Sequence, residues 1–316
     1  MFIVRCLGVA LAFFLLFYGA ISLAVMRVWE QVRRFGSRLS AKRLAGLLFA
    51  LRAVPFVSAV VITLGFVVPS FLLLEPRAVA EPIGEIPLTL GACCLLLFAA
   101  GLLNAVAAQV RTSRAVADWL QGASADSGCD PVPLFRIRPA SPALTVAGVC
   151  APRVLLSDAA AAVLSSPELE TALKHEIAHV RRRDNLKKLF FRVCVFSGMA
   201  ALESAWSEAA EMAADDAAVS SSREALDLAS ALIKLSRFAP MHAVATLTTG
   251  LVQHSGSGLD ARIERLLTWD ETHALQTLSL IPWYLAPTLL GSIVCVVMTY
   301  GVTLSCMHDL TEWLVR

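Results

Sequence analysis

Long apolar runs alternate with charged, periodic stretches along this chain, and the alternation is uneven. Four segments, 1–26, 44–74, 86–110 and 278–306, are apolar over at least the about 20 residues that a membrane-spanning helix needs. The second is long enough to tilt, or to begin at the membrane surface with Arg52 reaching back to the headgroups. The connections differ in charge. Residues 27–43 carry Arg27, Arg33, Arg34, Arg38, Lys42 and Arg43 against Glu30 alone, whereas 75–85 hold Glu75, Glu81 and Glu85 against Arg77. Arg111 and Arg114 follow the third run directly. Basic connections stay in the cytoplasm, so the pattern predicts 27–43 and 111–277 inside. The loop 75–85 and a short tail, 307–316, then lie outside. A cleaved signal peptide with Arg5 as its basic end is the competing reading of the first run. The positive charge just beyond that run favours a retained helix instead.

Region 111–277 is a different material. Residues 122–133 read as a polar linker, and 134–138 alternate as a strand does. Residues 145–149 and 153–157 predict a β-hairpin turning at Cys150, Ala151 and Pro152. Ser166 then offers an N-cap, with Pro167 at the first helical position and Glu168 in the first turn. Leu169, Leu173, Ile177 and Val180 recur behind it at helical spacing. Residues 189–202 are apolar but too short to span, and Arg192 interrupts them, which predicts a core or interfacial helix. Further helices are expected over 206–219 and 223–237, a loop over 252–258, and a short amphipathic helix over 259–269. There is no internal repeat.

Composition supports a membrane protein. Of 316 residues 57% are hydrophobic and 16% charged, and the mean hydropathy is +0.68. A formal net charge of +2 with no basic, aromatic-laced patch argues against nucleic-acid binding. The eight cysteines show no C-x-x-C spacing, so they read as small apolar residues and free thiols.

The chemistry is concentrated in LKHEIAHVRRRDN, residues 173–185. Positions i and i+4 share a helix face, so His175 and His179 can aim at one ion. Zinc accepts imidazole nitrogens, takes a third protein ligand in catalytic sites and keeps a position for water. Glu176 stands beside the first histidine, placed to take a proton from that water. Composition alone gives roughly 0.005 such matches by chance. The bland alternative is a surface helix with two solvated histidines. A third ligand must come from a returning helix, and ALESAWSEAAEMAADDAAV offers Glu203, Glu208, Glu211, Asp215 and Asp216. Glu211 and Asp215 share a face, so Glu211 can bind the ion while Asp215 accepts from a ligand histidine's other nitrogen. Spacing does not exclude Glu208, and a solvated acidic face is the plainer reading of the whole stretch. Arg181, Arg182, Arg183, Lys187 and Lys188 read as a solvated face, or as contacts to anionic headgroups. Asp184 pairs with one of them or orients the site. His254 and Arg262 are candidates to stabilise an oxyanion; His242 and His273 read as surface histidines.

With these residues the chain resembles the BlaR/MecR-type family of integral membrane zinc metallopeptidases, which are gluzincins. The resemblance rests on TVAGVCAPRVLLS, HEIAHVRRRDNL, EMAADDAAV and LDARIERLL. It implies a mainly α membrane protein with four transmembrane helices and a cytoplasmic α+β zincin-like protease domain between the third and fourth. It implies zinc on His175, His179 and Glu211, with Glu176 as general base and Asp215 behind a ligand. The hairpin's second strand would be the edge to which an extended substrate adds. Two departures stand out. Only about ten residues follow Cys306 and no S-x-x-K occurs, so the penicillin-binding sensor domain of β-lactam-sensing members is not expected in this polypeptide. Ala214 also stands where the family often has cysteine.

The expected function is a zinc endopeptidase of the inner membrane that cleaves a cytosolic protein, a winged-helix transcriptional repressor, with its stimulus supplied by a separate sensor protein. Its partners are the lipid bilayer and that substrate. The alternatives are a quality-control or maturation protease of HtpX or CaaX-processing type, and a catalytically idle receptor or scaffold.

Overall fold

The computed structural model describes residues 2–36, 39–76, 84–121, 123–126, 132–138, 142–237, 247–250, 257–269 and 285–315. The apolar runs become long helices: α1 (Phe2–Gly36), α2 (Ala41–Ile62), α3 (Val68–Leu74) and α4 (Glu85–Trp119). A π-helical turn, Thr63–Val67, joins α2 to α3 without a break. Three of these stretches, Phe2–Arg34, Ala41–Leu74 and Glu85–Trp119, are long and apolar enough to cross a membrane. The expected fourth span, 278–306, lies partly outside the described residues. A helix here numbered α11, Leu285–Val315, covers the rest of it and carries on through the residues expected as a tail.

The chain divides into two compact units. One comprises Met1–Val32, Ala50–Ala100 and Leu278–Arg316, and the other Arg33–Phe49 and Gly101–Thr277. In the first, Phe14 lies 5.0 Å from Phe98 and 5.7 Å from Phe56, ring centre to ring centre, which ties three apolar helices together. Arg52, which one of the two readings of the second run sends to the membrane surface, is 1% exposed.

The second unit is built on a five-stranded sheet ordered β1-β2-β4-β3-β5. Its strands are β1 (Ser124–Asp126), β2 (Leu134–Ile137), β3 (Leu144–Ala147), β4 (Arg153–Ser157) and β5 (Thr248–Gly250). The predicted hairpin is present as β3 and β4, with Val146 opposite Val154. Gly148 begins its turn at φ +101°, where an added Cβ would stand 2.6 Å from the Ala151 carbonyl oxygen, so only glycine fits. The expectation for the sheet edge is corrected. β4 is interior, running parallel to β2 on one side and antiparallel to β3 on the other. The edges are β1, which falls inside the expected linker, and β5, which pairs with β3 through Val146 and Thr249. Two short strands thus cap a core that sequence alternation marks only in its middle.

Among the described residues the second unit's helices beyond α4 are α5 (Asp158–Val163), α6 (Ser166–Arg182), α7 (Asp184–Val193), α8 (Ala200–Ala218), α9 (Ser222–Ser236) and α10 (Ser257–Leu267). One sheet face supplies Leu134, Leu144, Val146, Val154 and Leu156 to a core shared with α6, α9 and α10. The other presents Ile137, Ala147 and Leu155 to Val116, Trp119 and Leu120 at the end of α4. The cap of α6 falls on Ser165, one residue earlier than expected, so Glu168 sits at the third helical position and closes a capping box. The apolar run 189–202 is not one helix. α7 stops at Val193, and the chain turns through Gly198, at φ 93°, before α8 begins. Ser197 and Gly198 are weak helix formers, and their break lets α8 reverse alongside α6.

Candidate metal centre

α6 turns its polar face, not its apolar one, toward α8. His175 and Glu176 are fully buried and His179 is 2% exposed. Ionisable groups taken out of water this completely must be paired or must hold an ion, because each unpaired charge costs several kcal/mol. α8 allows the approach because the buried Ala210, Ala213 and Ala214 around Glu211 and Asp215 keep it thin there.

The atoms converge. The Nε2 atoms of His175 and His179 are 3.1 Å apart. Glu211 Oε2 lies 3.6 Å from the first and Oε1 3.7 Å from the second. An ion with tetrahedral bonds of about 2.0–2.1 Å sets its ligand atoms about 3.3 Å from one another, so this donor set fits zinc without rearrangement. The three residues form a buried group able to hold a metal ion. Each ring is fixed from behind. His175 Nδ1 lies 2.9 Å from Asp215 Oδ1, and His179 Nδ1 lies 2.8 Å from Asp184 Oδ2, which leaves both Nε2 atoms facing inward.

The field at this point favours a cation. Burial opposes charging His179, but the Glu211 and Asp184 carboxylates outweigh it and raise its pKa to about 9. Burial also opposes ionising Asp215, yet the Arg262 guanidinium draws it down to about 2. Glu176 behaves differently. Burial lifts it to about 7, and neither of its carboxylate oxygens has a hydrogen-bond partner among the described residues. It is a carboxylate poised for something not of the protein.

The expected residues fall into distinct places. His175, Glu176, His179, Glu211, Asp215 and Asp184 come together. Glu208 is exposed on α8, which removes the ambiguity with Glu211. Glu203 is half-buried elsewhere on that helix, and Asp216 pairs with Arg265. Arg262, considered as an oxyanion donor, instead donates through Nε and Nη2 to Asp215 at 2.8 and 2.7 Å. Its Nη1 lies 3.1 Å from Glu211 Oε2. The guanidinium therefore clamps two carboxylates of the centre. His254, His242 and His273 lie outside the described residues.

The basic run after His179 is not a uniform solvated face. Arg183 takes a left-handed conformation, φ 54°, that ends α6 and starts α7, swinging Asp184 back toward His179. Lys187 then donates to Asp184 at 2.9 Å, Arg182 to the Ala210 carbonyl at 3.1 Å, and Lys188 to the Thr248 carbonyl at 2.7 Å. Asn185, which no sequence signal marks beyond its place next to Asp184, donates to the carbonyls of Val146 and Gly148. It fastens the start of α7 to β3.

The family model described as BlaR1 peptidase M56 matches residues 70–266. No curated protein and no solved structure matches the chain.

Proposed function

Because the chain belongs to the BlaR1 peptidase M56 family, we propose that it is a membrane-integrated zinc endopeptidase that hydrolyses a cytosolic protein. The convergence of His175, His179 and Glu211 on one buried point, with the unpartnered Glu176 carboxylate beside it, carries this reading. His175, His179 and Glu211 hold zinc. When bound, zinc lowers the pKa of water and polarises a carbonyl. Glu176 takes a proton from the water whose oxygen attacks the peptide carbonyl carbon. It then delivers that proton to the amine nitrogen as the C–N bond breaks. Asp215 and Asp184 keep both imidazoles in the tautomer that leaves Nε2 free to ligate. Arg262 keeps Glu211 and Asp215 ionised. The substrate pairs as an extended strand at the β3–β5 end of the sheet, where Lys188 and Asn185 fasten strand to helix.

The basic stretch 27–43 and the arginines after the third apolar run support a peptidase region on the cytoplasmic side of the inner membrane. A transcriptional repressor as substrate follows from the resemblance to BlaR/MecR proteins. The full-length chain, purified in detergent and loaded with zinc, should cut extended peptides detected by mass spectrometry. Glu176→Gln should keep the zinc and lower the rate about 10²–10⁴-fold. An unchanged rate in that variant would refute the assignment.

A further inference from the structure

A second cluster of ligand-type side chains lies in the first unit, apart from the centre above. Glu75 ends α3, its backbone already extended, with its amide bonded to the Phe71 carbonyl. His308 and Glu312 stand one turn apart on α11, with His308 Nε2 3.9 Å from Glu312 Oε1. One ligand atom from each of Glu75, His308 and Glu312 falls within 4.8 Å of the other two. The side chains of Glu75 and His308 are 8% and 19% exposed, while Glu312, at 43%, opens the cluster to solvent. Phe2, Phe71, Met307 and Leu314 pack into the apolar cluster of the same helices.

Hydrogen bonding leaves this cluster incomplete. Two carboxylates held this close repel each other, the more so beside an apolar cluster. Arg5 Nη2 lies 3.1 Å from Glu75 Oε1 and offsets one of them. His308 Nδ1 is buried and has no hydrogen-bond partner among the described residues. An ion pair between His308 and Glu312 alone would explain neither that nitrogen nor the approach of Glu75 from another helix. One imidazole with two carboxylates, open to water on one side, suits a borderline divalent transition-metal ion better than calcium or magnesium, which favour sets made only of oxygen.

We propose that Glu75, His308 and Glu312 bind a divalent transition-metal ion of the zinc class, at a site separate from the His175 cluster. Such an ion links the end of α3 to α11. α11 also meets the π-helical turn that precedes α3, where the Tyr300 hydroxyl donates to the Gly65 carbonyl at 2.9 Å. Turns of this kind often mark functional points in helices. By the charge pattern of the connections the cluster faces the outer side. α11 follows the peptidase region directly in sequence, so an ion bound here acts on the helix that leaves that region.

The test uses the full-length chain in detergent, stripped with chelator and titrated with Zn²⁺ by calorimetry. Its background is His175→Ala with His179→Ala, so that the first centre contributes nothing. That background should bind about one equivalent of Zn²⁺. Adding either His308→Ala or Glu312→Gln should weaken the binding at least about tenfold. Asp309→Asn, which alters the adjoining exposed carboxylate, should leave it unchanged. No binding by the background, equal binding with and without His308, or an equal loss in Asp309→Asn would each overturn the proposal. If the background does not remain monodisperse, the wild-type chain is compared with His308→Ala, and a fall of about one equivalent is expected. Equal zinc in those two chains would overturn the site. Both comparisons vary His308 alone, so they read this site whether or not the His175 cluster proves to hold zinc.

Discussion

At the residue scale the centre depends on groups that touch the proposed ligands from behind. Asp215 lies 2.9 Å from His175 Nδ1 and receives two hydrogen bonds from Arg262. Asp215→Asn should lower zinc affinity about 10–100-fold, measured by competition with a chromophoric chelator. Glu208→Gln, on the exposed side of α8, should change nothing. Glu176 sets the pH dependence. Burial raises its pKa to about 7, and the ionised form is the base, so the rate must fall as pH drops and Glu176 is protonated. A cation beside a carboxylate favours ionisation, which places this acid limb at or below about pH 7 in the zinc-loaded protein. A kcat/KM that rises as pH falls from about 7 would contradict a role for this base. The pairing of His175, Glu176 and His179 was legible because helical spacing is local. Spacing alone did not choose Glu211 over Glu208, which only the resemblance separated, because both are glutamates on one helix and only the packing of α8 buries one of them. The role of Arg262 was equally hidden, since it acts across 47 positions of sequence.

At the element scale, α6 must be held rigidly if its two histidines are to keep their places. Glu168 does much of this. It closes the capping box at 2.7 Å from the Ser165 amide and accepts from Ser230 and Lys234 of α9. Burial opposes its ionisation, but the Lys234 ammonium, the Ser230 hydroxyl and the Ser165 cap draw its pKa down to about 2. A carboxyl with a depressed pKa stabilises the fold above its unfolded value near 4.5 and loses that contribution as pH falls toward 2. Glu168→Gln should therefore cost about 1–3 kcal/mol near neutral pH, seen as a lower thermal midpoint in detergent. The gap should narrow below about pH 4.5. A gap as large at about pH 2 as at neutral pH would show that charge is not what Glu168 contributes. The helix and the hairpin were legible in the sequence through capping residues and period. The strand order was not. β5 is three residues, Thr248–Gly250, too short to show alternation, and the parallel pairing of β2 with β4 joins strands that the hairpin separates.

At the scale of the whole molecule, three apolar helical stretches and a peptidase unit of α and β elements follow from the same contrast of apolar and charged sequence. Long apolar runs are legible because bilayer thickness demands length. Their helical ends are not, since α1 runs on to Gly36 and α4 to Trp119, well beyond the apolar residues. Continuous helix carries these segments past any hydrophobic boundary. The central claim is proteolysis by this centre of a protein on the cytoplasmic side. The most direct measurement compares new protein N-termini in cells making the wild-type chain and the Glu176→Ala variant. One or a few Glu176-dependent cuts in a cytosolic DNA-binding protein are predicted. Many cuts spread over membrane proteins would contradict the single-substrate account, and identical N-termini in the two cells would contradict the peptidase itself.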